Sequence, residues 1–93
     1  MGITFEWDTE KAKANLRKHG VTFDEATTVF RDPLSITIRD PDHSRHEAWF
    51  VDPGVSHKGR VLVVSYTERG ETVRMISARV AAPRERRKYE EHT

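Results

Sequence analysis

Residues 59–82 read GRVLVVSYTERGETVRMISARVAA, and the reading of this stretch decides the fold. Two runs rich in β-branched residues, 61–67 and 72–80, flank a turn at Arg69-Gly70, where the glycine supplies the positive φ of a short hairpin. Neither run alternates cleanly. Val61 to Val64 and Met75-Ile76 put apolar side chains on both faces, which predicts inner strands covered at least partly on both sides. Arginines interrupt them at Arg60, Arg74 and Arg79. Strand alternation places Arg79 on one face with Val73, Met75 and Ser77, and Arg74 on the other with Ile76 and Ala78. An arginine in such a strand needs an anion beside it, either a carboxylate of the fold or a bound phosphate.

Working outward, residues 3–7 alternate as a short strand with Ile3, Phe5 and Trp7 on one side. Asp8 is an N-cap for a helix over 9–18 whose inner stripe is Ala12, Leu16 and His19, and Gly20 ends it. Thr22 and Glu25 form a capping box, with Val21 and Ala26 as its staple, for a second helix over 22–31. Phe23, Ala26, Val29 and Phe30 are its apolar face, and Asp32-Pro33 stops it. Residues 34–39 alternate as a strand, Asp40-Pro41-Asp42 is a turn, and 43–51 reads as a further strand with Glu47, Trp49 and Val51 on one face. Asp52-Pro53-Gly54 ends that strand. Pro83 opens a mostly charged last helix, 84–91, that only Tyr89 can anchor. The expected architecture is α+β: two N-terminal helices packed on a mostly antiparallel sheet of about four to five strands, with a short C-terminal helix and a partly open opposite face.

The length of 93 residues predicts a single domain spanning 1–93. Without cysteine there are no disulfides, no thiol catalysis and no cysteine-based zinc site. No apolar run approaches a membrane span and no secretory signal is present, so the expected location is cytoplasmic. Charged residues make up 33% of the chain, yet the net charge is +1. Residues 1–42 carry six bases and eight acids, and residues 43–93 carry ten bases, eight of them arginine, and seven acids. Such a half suits nucleic acid or an acidic protein partner, with little affinity from charge alone.

Lys18-His19 at the end of the first helix complements its dipole. The densest polar cluster is Asp42-His43-Ser44 followed by His46-Glu47. His43 and His46 are three apart on a turn-to-strand segment and lack a third ligand at a diagnostic spacing, so acid–base work by His43 or Glu47 is expected there rather than metal binding. Folding the hairpin at Arg69-Gly70 sets Arg60 roughly opposite Arg79, and two guanidiniums so placed need an anion between them. Glu47 on the neighbouring strand is one such anion; a phosphate is the other.

The string Phe5-Glu6-Trp7-Asp8, Lys11-Ala12, Asn15, Lys18-His19-Gly20-Val21, Phe23, Ala26, Phe30-x-Asp32-Pro33, Asp42-His43-Ser44, Glu47, Gly54-x-Ser56, Gly59-Arg60, Thr67-Glu68-Arg69, Ile76-Ser77-Ala78-Arg79, Glu85-Arg86 and Tyr89 resembles the BrnT toxins, nearly end to end. The resemblance implies a RelE-like fold and a toxin of a bacterial type II toxin–antitoxin pair that cleaves RNA without a metal or other cofactor. It also implies a BrnA-type antitoxin partner, through which alone operator DNA is bound. Placed on that chemistry, Glu47 or His43 is the base, Arg60 and Arg79 hold the phosphate, and Lys18, His19, Trp49 and Arg74 contact substrate. One position departs from the family: two residues after Glu47, where arginine is common, stands Trp49. It implies either a tryptophan stacked on a base or an inactivated toxin-like protein retained as co-repressor with its antitoxin.

Overall fold

A computed structural model describes residues 3–40 and 47–91. The cluster of Asp42, His43, Ser44 and His46 lies outside the described residues. In chain order the elements are β1 (Thr4–Glu6), α1 (Thr9–His19), α2 (Phe23–Thr27) continued by a 3-10 turn (Thr28–Arg31), β2 (Ile38–Asp40), β3 (Trp49–Val55), β4 (Val61–Arg69), β5 (Thr72–Val80) and α3 (Pro83–Glu90). The described strands form one sheet in the order β1-β5-β4-β3-β2. β1 runs parallel to β5, and every other pair is antiparallel.

The hairpin β4–β5 is the centre of this sheet, as its two-faced apolar runs require. Its turn, however, is Gly70-Glu71: Arg69 pairs with Thr72, and Gly70 has φ 63°. The ladder then slips at Ile76, because Tyr66 pairs with Met75 while Ser65 pairs with Ser77. The bulge changes which residues share a face. Val73, Met75 and Ala78 face the helices with Leu62, Val64 and Tyr66, all buried. Arg74, Ser77 and Arg79 lie together on the opposite face, not split between faces as simple alternation suggested.

The helices cover one face through local signals that read correctly at their starts. Asp8 accepts hydrogen bonds from the backbone of Glu10 and Lys11, and Thr22 Oγ1 accepts from Glu25 N at 3.0 Å. Gly20 ends α1 with φ 69°, its N–H donating to Leu16 O. Two details differ. Leu16 is 48% exposed, and the residue α1 buries is Asn15. Its amide donates to Val21 O and Ala78 O and accepts from Ala78 N, so α1 is fastened to β5 by polar bonds where an apolar stripe was expected. Nor does the capping box close, since the Glu25 carboxylate turns to Arg60 and Ser56 instead. Val21, Phe23, Ala26 and Val29 fill the core as expected. Phe5, Phe30, Tyr66 and Phe50 form a chain of ring contacts from β1 to β3, tilted, edge-on and stacked in turn, with centroids 5.2, 4.9 and 5.7 Å apart.

The outer strands depart most from the sequence reading. Only Ile38–Asp40 of the alternating run 34–39 pairs with β3. Asp52-Pro53-Gly54, read as a stop, lies inside β3 and pairs with Val64, Val63 and Leu62. Proline is tolerated because β2 pairs only with residues 49–51, leaving β3 an edge beyond them. Gly54 is required by close packing: a Cβ there would stand 2.7 Å from Val29 Cγ1. α3 crosses the open face at one end, anchored by Tyr89, which is 7% exposed and donates a short hydrogen bond to Asp32.

Candidate active site

The register sets one transverse row on the open face. Asp40, Trp49, Thr67, Arg74 and Glu6 are successive partners across β2, β3, β4, β5 and β1. Neighbouring strands are ~4.8 Å apart, so the row is a continuous band of side chains. Arg74 Nη1 donates to Glu6 Oε2 at 2.7 Å, which engages one of its two terminal nitrogens. Thr67 is fully buried between Trp49 and Arg74, and its Oγ1 has no hydrogen-bond partner among the described residues. Beside the row, at the end of β4, Arg69 stands 3.6 Å from Glu47, and both side chains are largely exposed.

Arg60 and Arg79 are not opposite one another. The turn one residue later than expected and the bulge at Ile76 move Arg79 to Val63, three positions further along β4. Each has its own carboxylate. Arg60 Nε and Nη2 bind the two oxygens of Glu25, and Nη2 also donates to Gly20 O at 3.1 Å. Glu25 is 1% exposed and takes a third bond from Ser56 Oγ at 2.7 Å. The Arg60 guanidinium holds the Glu25 carboxyl below its ordinary range, and Glu25 in turn raises Arg60. Arg79 forms a two-bond fork with Glu85 at 2.6 and 2.8 Å, which lowers Glu85 to about 2 and raises Arg79.

The residues singled out from sequence therefore fall into three places. Glu47, Trp49 and Arg74 share the row and its margin. Arg79 is on the same face, at the foot of α3. Arg60 lies at the start of β4, at the end opposite Glu47, ~30 Å away by strand rise. Lys18 and His19, in the last turn of α1, belong to Arg60's corner through Gly20 and lie over the other face of the sheet. Arg69, which the sequence places in the turn with Gly70, instead ends β4 beside Glu47 at the margin of the row.

A cavity of about 510 Å³ lies on the helix side of the sheet and does not suit a phosphate. Asp32, Asp52, Glu68 and Glu71 line it, and a polyanion would be repelled. At its floor Tyr66 Oη donates to Asp52 Oδ1 at 2.9 Å. Burial pushes both groups up from their ordinary values.

Similarity to known proteins follows the same outline. The chain resembles the crystal structure of the Brucella abortus ribonuclease toxin BrnT, with a TM-score of 0.68 and 18% identity, covering 86% of this chain and 97% of that one. This likeness is one of fold. Among curated proteins none matches at the level of sequence. The sequence profile described as "Ribonuclease toxin, BrnT, of type II toxin-antitoxin system" matches residues 7–85. With nearly its whole length matched, the chain belongs to the BrnT family of ribonuclease toxins of type II toxin–antitoxin systems.

Proposed function

We propose that this protein is a metal-independent endoribonuclease that arrests growth, that it cleaves RNA on the open face at the row Trp49–Thr67–Arg74, and that a BrnA-type antitoxin neutralises it. Operator DNA is reached only through that antitoxin. The observation that carries the reading is the convergence, on one face, of a stacking ring, two arginines and an exposed carboxylate. A nucleobase stacks on Trp49. The 2′-hydroxyl gives its proton to Glu47 and attacks the adjacent phosphorus. The P–O5′ bond breaks, leaving a 2′,3′-cyclic phosphate and a 5′-hydroxyl whose proton comes from an acid, for which His43 is the candidate. Arg74 and Arg69 meet the charge of the phosphorane. The arriving phosphate competes for Arg69 and frees Glu47 to act as base. Arg60 and Arg79 are assigned to holding the fold, a role supported by their forked pairing with Glu25 and Glu85.

The test is purified protein on single-stranded RNA with a chelator present. Cleavage is expected to continue, to give cyclic-phosphate ends, and to fail where the 2′-hydroxyl is absent. Arg74→Ala and Glu47→Gln should each lose ~10²–10³ in rate. Cleavage abolished by the chelator, or undiminished in both variants, rejects the reading. A second reading, a non-catalytic co-repressor, is favoured by Trp49 in place of the family's arginine and by the carboxylates already facing Arg69, Arg74 and Arg79. Wild type inert on RNA and harmless in cells would select it.

A further inference from the structure

The segment before β2 is inverted. Ser35 and Thr37 point to the helix side, where they line the cavity beside Asp52 and Tyr66. Ile36 and Ile38 point outward, 44% and 54% exposed. With Leu34 they make three of the six exposed large apolar residues among those described, within five positions. A strand with polar residues inward and isoleucines outward has its missing cover on the outside. That outside is a groove of about 160 Å³, almost wholly apolar, between the sheet and α3. Its walls are Ile36, Ile38, Val51, Pro53, Val63 and Tyr89. Its α3 rim is cationic. Lys88 borders it, Arg84 is exposed one turn before Lys88, and neither makes an ion pair among the described residues. Glu85, the one acid at the groove, is already held by Arg79.

We infer that this groove is the docking site of the antitoxin, which seats an amphipathic helix there with its apolar side on Ile36, Ile38 and Val51 and its acidic side toward Arg84 and Lys88. The inference rests on the toxin reading above for the existence of that partner. The apolar floor decides against RNA as the occupant of the groove itself: RNA matches the cationic rim but has no continuous apolar face to bury. Val51 is two residues from Trp49 on the same face of β3, ~7 Å along the strand. A helix seated in the groove therefore overhangs the row and closes it to RNA. Neutralisation is by occlusion and needs no conformational change in the toxin.

The test measures binding of the full-length toxin to the antitoxin encoded beside it, by calorimetry, with Ile38→Glu, Lys88→Glu and, on the far side of the molecule, Leu16→Glu. Ile38→Glu should weaken binding roughly 100-fold, as loss of a buried apolar anchor does. Lys88→Glu should weaken it about 10-fold and reduce its salt dependence. Leu16→Glu should bind as wild type. Because Ile38 is exposed, its variant should melt like wild type and escape the antitoxin in cells. Should it melt early, Lys88→Glu carries the comparison. Wild-type binding by both groove variants overturns the inference. So does an equal loss in Leu16→Glu, or an isolated toxin dimer that Ile38→Glu dissociates. Binding is read without cleavage: a toxin inert on RNA that still loses its antitoxin through Ile38→Glu keeps the docking site and rejects the ribonuclease reading.

Discussion

At the scale of residues, this protein is held by arginine–carboxylate pairs, two of which join distant parts of the chain while the third ties α3 to the end of β5. Arg60–Glu25, Arg74–Glu6 and Arg79–Glu85 each satisfy a charge that a small core cannot bury alone. The pairs are not equivalent. Glu25 is 1% exposed and Arg60 36%, so Arg60→Ala leaves a buried carboxylate without its partner. The expected cost is about 2–3 kcal/mol, below that of a fully buried pair because solvent already screens Arg60. Chemical denaturation measures it, and a double variant with Glu25→Gln should recover part of the loss. The same pairs set the acid response. Glu25 and Glu85 are both lowered in the fold from the ordinary 4.5, Glu85 to about 2. The fold thus prefers their ionised forms. Their stabilisation is full above about pH 4.5 and is lost as pH falls toward about 2. Melting temperature should therefore drop across that window, and Arg79→Ala should flatten the drop. That each arginine needs an anion was legible in the sequence. Which anion it takes was not, because Glu6, Glu25 and Glu85 are brought to the arginines by the sheet and helix packing.

At the scale of elements, starts and stops made by local chemistry were legible, and registers were not. Asp8, Gly20, Thr22 and Pro83 act through bonds within a few residues, and all four stand where the sequence put them. The bulge at Ile76 and the passage of β3 through Asp52-Pro53-Gly54 depend on partners far along the chain. So does the burial of Asn15 in place of Leu16. An amide at that position is unremarkable by helical spacing, and only the approach of Ala78 adds two bonds to the one it makes with Val21 O. Asn15→Ala should cost about 2–4 kcal/mol, since it strips partners from buried backbone groups. Leu16→Ala should cost well under 1 kcal/mol, because the side chain is half exposed. The reverse ranking in denaturant titrations would restore the apolar stripe as the fastening of α1.

At the scale of the whole molecule, two faces of one sheet do different work. The helix face is a core with an acidic cavity at its margin, and the open face carries the cationic row and the apolar groove. Net charge of +1 gives little long-range pull on RNA, so affinity must come from local contacts. If Arg69 and Arg74 alone meet phosphates, log affinity for single-stranded RNA should fall against log salt with a slope of about −1.4, and Arg74→Ala should bring it near −0.7. A slope several times steeper would mean that the Lys18 and Arg60 corner also touches RNA. The amino-acid sequence by itself determined the α+β class, the central hairpin, the helix caps and the family, because these follow from periodicity, from capping and turn chemistry within a few residues, and from a resemblance spread along the chain. Only the tertiary structure separated Arg60 from Glu47, gave Arg79 to Glu85, set Arg69 beside Glu47 and turned Ile36 and Ile38 outward. Those placements depend on register, where a single bulged residue exchanges faces and a single-residue change of turn shifts every pair beyond it.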